Sequence, residues 1–114
     1  MGGGAGIGEF KNTKGGETHN NKIPQNSSQE KHIFRDKAGH LPDTPKNRAL
    51  LERVASDQNN FLGKDQYGNN WYAENQSDGS QIWVESRNGK IIDGGSNLAP
   101  KQWNDATGLK NSIP

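Results

Sequence analysis

Apolar residues are sparse along this chain, and their spacing changes near residue 60. In "TPKNRALLERVAS", Leu50, Leu51, Val54 and Ala55 form one stripe at helical spacing. Thr44 is a good N-cap, and Pro45 then takes the first helical position, where a missing N–H costs nothing. The pattern predicts a helix over about residues 45–56, fraying in "SDQNN", with its leucines in the core. After it the period becomes two. "NWYAENQ" and "QIWVESR" flank Asp78-Gly79, and "IWVESR" and "KIID" flank Asn88-Gly89, dipeptides that strongly signal hairpins. "FLGKD" offers a further strand before "QYGNN". The expected architecture is α+β, an N-terminal helical segment packed on a three- to four-stranded antiparallel sheet.

Two-residue turns decide which side chains share a sheet face. With Asp78-Gly79 as the loop, Ala73 pairs with Val84 and Tyr72 with Glu85. With Asn88-Gly89 as the loop, Ser86 pairs with Ile91 and Arg87 with Lys90. One face then collects Trp71, Ala73, Ile82, Val84 and Ile91, suited to cover by the helix. The other collects Tyr72, Glu74, Trp83, Glu85, Arg87 and Lys90. Ordinary cross-strand pairing accounts for such a face. So does a nucleic-acid platform, on which Tyr72 and Trp83 stack bases while Arg87 and Lys90 meet phosphate.

Residues 1–30 carry almost no apolar periodicity and read as a flexible glycine-rich and polar leader, with the ordered domain over 31–114. The leader glycines match neither dinucleotide-binding nor phosphate-loop spacing. Composition narrows the function further. A chain of 114 residues is one domain at most, and 27% hydrophobic residues with 15 glycines leave a small core that a binding partner would stabilise. A formal charge of +1 supplies no global field toward nucleic acid, so any polyanion site must come from local clustering. The absence of cysteine excludes disulfides and thiolate metal sites. No apolar run reaches membrane-spanning length, and the N-terminus does not read as a signal peptide, which fits the end of a larger exported protein.

The candidate chemistry centres on "HIFRDKAGHLPDTPKNR". His32, Asp36 and His40 have a four-residue spacing that would suit metal ligands on one helix face, but Gly39 and Pro42 argue against a continuous helix there. His40 lies close before the Thr44 helix start, whose backbone N–H groups favour an anion, and an imidazole can take or give a proton near neutrality. His19, in the polar leader, reads as inert. Glu74 and Glu85 are paired carboxylates with nothing to place them at a sugar, and no serine or cysteine nucleophile elbow is present. RNA cleavage needs neither metal nor enzyme nucleophile, because the substrate brings its own 2′-OH. For that reaction His40 is the candidate base or acid, Arg48 and Arg87 the clamp on the phosphate charge, and Thr44 or Tyr72 a hydrogen-bond donor. Lys46 is a further electrostatic candidate.

The blocks "HIFRDKAGHLPDTPKNRALLERVASD" and "NFLGKDQYGNNWYAENQSDGSQIWVESRNGKIIDGGSN" resemble the C-terminal toxin domains of bacterial polymorphic toxins, found on contact-dependent growth inhibition proteins and related secreted effectors. The resemblance covers about residues 32–97 and not the leader. It implies a ribonuclease of the barnase, colicin and RelE-like fold group, tRNA as substrate, a cognate immunity protein as partner and, for some members, dependence on elongation factor Tu. It also implies delivery from a cell-surface effector into the cytoplasm of target bacteria, without a cofactor and without a membrane-bound active form. The roles of His40, Thr44, Arg48 and Arg87 rest on the chemical reading and not on the resemblance. Two other function classes stay open at this point: a metal-dependent DNase toxin, and a non-enzymatic binding module of a toxin–immunity pair.

Overall fold

Thr44 does at the head of the main helix what its sequence position predicts: its hydroxyl accepts the backbone N–H of Asn47, and Pro45 opens the helix behind it. The computed structural model describes residues 19–111. It contains two helices, α1 (Ser27–Ile33) and α2 (Pro45–Val54), followed by a four-stranded antiparallel sheet. The strands are β1 (Phe61–Lys64), β2 (Asn70–Asn75), β3 (Gln81–Arg87) and β4 (Lys90–Asn97), each paired with the next in sequence order. The fold is therefore α+β. No helix of the described residues is long and apolar enough to cross a membrane.

The turn between β3 and β4 is the two-residue loop expected. Asn88 and Gly89 both have positive φ, Arg87 pairs with Lys90, and Ser86 pairs with Ile91. The turn between β2 and β3 corrects the expected register. Gln76 and Ser80 close a three-residue loop in which Asp78-Gly79 are only the last two residues, with Gly79 at φ 91°. The Asp78 carboxylate accepts from both the backbone N–H and the hydroxyl of Ser80 and holds the longer turn. Tyr72 consequently pairs with Val84 and Ala73 with Trp83, one residue away from the two-residue register. A shift of one residue reverses the faces of a strand. Tyr72 thus joins the helix-covered core, while Trp71 and Ala73 move to the opposite face beside Trp83.

The core on the helix side is Ile33, Leu51, Val54, Ala55, Tyr72, Ile82, Val84 and Ile91, with Leu50 partly buried at its edge. The second face carries a smaller cluster of Trp71, Trp83 and Leu109, backed by Trp103. Part of the polar leader is tied to this body. Lys22 bridges to Lys90, Asn21 donates to the Ala55 carbonyl, and His19 Nδ1 lies 2.6 Å from the Tyr72 hydroxyl with its ring against Phe61. His19 is therefore a packing residue among the aromatics and not a bystander. The earlier residues of the leader lie outside the described part.

Arg53 of α2 grips Glu74 of β2 through two hydrogen bonds of 2.7 and 3.0 Å, tying the helix to the sheet. Arg53, with help from Gln76 and Asn60, holds the Glu74 carboxyl at about 2, below its ordinary 4.5. A carboxylate depressed in the folded state stabilises fully above its ordinary value, and that stability drains away as pH falls toward the folded value. The melting temperature should therefore fall between pH 4.5 and 2, and Glu74→Gln should remove part of that fall. The Arg53 side chain is 56% exposed, so the pair contributes less than about 1 kcal/mol at neutral pH. Identical acid titrations of the melting temperature for the two proteins would show that the pair contributes nothing.

Candidate active site

The site forms where the loop after α1 crosses β4. A β-bulge in the β3–β4 pairing prepares it: Ser86 faces Ile91 but Glu85 faces Asp93, so Ile92 is the extra residue. Without the bulge, regular pairing from the Asn88-Gly89 turn would set Asp93 opposite Val84, in the apolar core. With it, Asp93 stands beside Glu85 on the second face. The next two residues are glycines for a packing reason. A Cβ on Gly95 would lie 1.8 Å from the Gly39 carbonyl oxygen, and one on Gly94 would lie 3.1 Å from Leu51. The loop can therefore lie directly on the strand, pinned by a 3.0 Å hydrogen bond from Ser96 N–H to the Gly39 carbonyl.

His40 follows Gly39 and is delivered by this crossing. Its Nδ1 lies 3.0 Å from the Ile33 carbonyl and 3.7 Å from Asp93 Oδ1, and its ring meets Trp83 edge-on at 5.7 Å. A carbonyl can only accept, so Nδ1 carries the proton in the neutral ring and Nε2 holds the lone pair. Asp93 is 1% exposed and is surrounded by Arg35 at 3.3 Å, Lys110 at 3.4 Å and the His32 imidazole at 3.5 Å. Lys110 also bridges to Glu85 at 2.9 Å. Burial opposes the Lys110 charge, but the Glu85 and Asp93 carboxylates outweigh it and hold the ammonium above its ordinary pKa. A cavity of about 380 Å³ opens over this arrangement, with His40, Trp83 and Asp93 in its wall and Arg35, Lys37, Lys101 and Lys110 around it.

Trp83 is nine-tenths buried and stacked on Trp71 at 5.8 Å, and its indole N–H has no partner among the described residues. Trp71 is locked from behind. Its N–H donates to Asp65 at 2.7 Å, and Gly108 lies so close that a Cβ there would meet the indole at 2.2 Å. Burial pushes the Asp65 carboxyl up, but hydrogen bonds from Trp71 and from the Asn69 and Tyr67 backbones outweigh it and leave it below the ordinary range. The segment after β4 thus closes the second face and brings Lys110 to the two carboxylates.

The residues expected to act together are dispersed. His40 and Trp83 line the cavity. Thr44 is engaged as the α2 cap. Arg48 is held by Asp43 and Glu30 at 2.6 Å each and lies over the Phe34 ring, outside the cavity wall. Lys46 is exposed on the first turn of α2. Arg87 and Lys90 stand at the far end of the sheet, at the β3–β4 turn. Tyr72, 1% exposed in the core, offers no ring for stacking, and the Trp83 ring is covered by Trp71 and His40. Glu74 and Glu85 lie on opposite faces and do not act as a pair. Asp93, Arg35, Lys37, Lys101 and Lys110 are the site residues that sequence reasoning missed. The one visible signal was Asp93 followed by two glycines at the end of an apolar strand. Among the described residues no group of three or more His, Asp or Glu side chains is placed to hold a metal ion.

No family model, no curated protein and no solved structure matches this chain.

Asp93 is the charge on which Arg35 and Lys110 converge, so removing it leaves both facing a neutral wall. Because Arg35 and Lys110 reach solvent, Asp93→Asn should cost about 1–2 kcal/mol of stability in urea unfolding at neutral pH. Unchanged stability would mean that Arg35 and Lys110 are held without it.

Proposed function

We propose that the protein is a metal-independent ribonuclease toxin that cleaves tRNA, with His40 as its general base. The observation that carries the reading is a protonatable ring, oriented by a carbonyl and a buried carboxylate, in the wall of a cavity surrounded by four cationic side chains. In this reading the scissile phosphate occupies the cavity among Arg35, Lys37, Lys101 and Lys110. The His40 Nε2 lone pair takes the proton from the 2′-OH as that oxygen attacks phosphorus. The imidazolium that forms is stabilised by Asp93 and by the Ile33 carbonyl on its other nitrogen. The cations offset the charge that builds on the phosphoryl oxygens. The bond to the 5′-oxygen breaks, that oxygen takes a proton from water, and the product ends in a 2′,3′-cyclic phosphate.

The resemblance to polymorphic toxin domains supplies the setting: a barnase, colicin and RelE-like fold relationship, delivery into target bacteria, a cognate immunity protein, and elongation factor Tu as a helper that presents tRNA. The α+β architecture agrees with that group at the level of fold class.

Expression of the chain in bacteria should halt growth and fragment tRNA, and cleavage of purified tRNA should persist in EDTA and leave cyclic phosphate ends. His40→Asn separates chemistry from packing, because its amide can still donate to the Ile33 carbonyl but has no Nε2. This variant should melt within a few degrees of the parent and lose at least about a hundredfold in cleavage rate. Full activity in His40→Asn, or intact tRNA in arrested cells, would remove the mechanism.

A further inference from the structure

The far end of the sheet holds a second cavity, of about 530 Å³, over the β3–β4 turn. Lys64 and Arg87 line it with Asn20, Asn21, Asn70 and Asn88, and no carboxylate contributes to its wall among the described residues. Lys64 donates to Asn70 Oδ1 at 3.0 Å, while Arg87 is exposed and has no carboxylate partner among the described residues. Lys22 bridges to Lys90 along the backbone and its N–H donates to the Gly89 carbonyl, which ties the leader to this turn. Elsewhere in the described structure the arginines are paired: Arg48 with Asp43 and Glu30, Arg53 with Glu74, and Arg35 with Asp93. Arg87 is the exception.

We infer that this cavity is a second phosphate-binding site, which takes a phosphodiester of the nucleic-acid strand whose cleaved bond lies at His40. Two cations beside exposed amides suit an anion with several acceptor oxygens: Lys64 and Arg87 supply the charge and the exposed Asn20 and Asn88 border the site, while the Asn21 amide is spent on the Ala55 carbonyl and the Tyr72 hydroxyl. Trp83 borders the His40 cavity and Arg87 the second one, four residues further along β3, or about 13 Å of strand. One phosphodiester cannot fill both places, whereas a longer strand can. This inference rests on the nuclease reading for the identity of the polyanion.

The test compares the parent chain with the Lys64→Ala/Arg87→Ala double variant, using oligonucleotides with 2′-O-methyl riboses so that binding is read without cleavage. With a strand of about twelve nucleotides the double variant should bind about tenfold more weakly at 0.1 M salt, and its salt slope should fall by about 0.7, one single-strand phosphate contact. A dinucleotide, which carries one phosphodiester, should bind the two proteins within about twofold of each other. Equal affinity and equal salt slope on the long strand would overturn the second site even if the parent cleaves tRNA. An equal loss on the dinucleotide would also overturn it, because the two cations would then act at the cleavage site. If the parent binds no oligonucleotide, both this inference and the nuclease reading fall. His40→Asn, which leaves the second cavity untouched, should keep the parent's salt slope while losing cleavage, and this separates the two claims.

Discussion

A buried carboxylate holds this small domain's second face in order. Asp93 is shielded from water almost completely, and an isolated charge there would be prohibitively costly. Its surroundings follow from that constraint. Arg35 and His32 come from the end of α1 and the residues after it, His40 from the loop across β4, and Lys110 from the segment after the sheet. Three chain segments are thus drawn to this strand, by charge at Asp93 and by the apolar packing of Ile33 and Leu109. The same convergence produces the cavity, because side chains that must reach Asp93 stand as a rim around it. The position of the carboxylate is in turn set by the bulge at Ile92, so one extra residue in one strand determines which face receives the charge.

Much of the architecture was legible. The Thr44-Pro45 start, the Leu51 and Val54 stripe and the Asn88-Gly89 turn all act locally, and local signals survive in a single sequence. The register of β2 was not legible, because Asp-Gly serves both as a complete two-residue loop and as the end of a three-residue loop. Only the hydrogen bonds from Ser80 to Asp78 distinguish the two. The candidate site suffered in the same way. His40 was found from its chemistry, but its carboxylate partner is 53 positions away and is turned toward it by a bulge that no short-range pattern announces. Arg48 reads as a phosphate clamp from its charge alone. In the fold the same position gives it Asp43 and Glu30 as partners.

The leader and the trailing segment show a related limit. The leader reads as polar with almost no apolar periodicity, yet His19 and Asn21 meet the Tyr72 hydroxyl, and Leu109 and Lys110 of the trailing segment cover the second face. A sheet this short leaves both faces open, and one ten-residue helix covers only one of them. The apolar residues needed for the other are spread thinly along segments without periodicity, so no windowed pattern reveals them. Trp103, packed against the Gly63 backbone and the Trp71 ring, belongs to the same class.

A net charge of +1 suggests a surface indifferent to polyanions, but the average conceals how the charges are spent. Glu30 and Asp43 hold Arg48, Glu74 holds Arg53, and Glu52 accepts the Ile23 backbone N–H. Asp65 serves Trp71, while Glu85 and Asp93 lie buried under Lys110. These carboxylates are committed to internal partners, whereas Lys37, Lys101, Lys64 and Arg87 line open cavities. The field that an approaching ligand meets is therefore locally positive in two places and weak at long range. At physiological salt, charges are screened over about 8 Å, so each cluster acts mainly on a ligand in contact with it. Such a protein would gain little from long-range steering toward RNA and would depend on close contact to hold it. On the proposed nuclease reading, local cationic sites on a nearly neutral chain suit a substrate brought in by a helper better than one captured from solution.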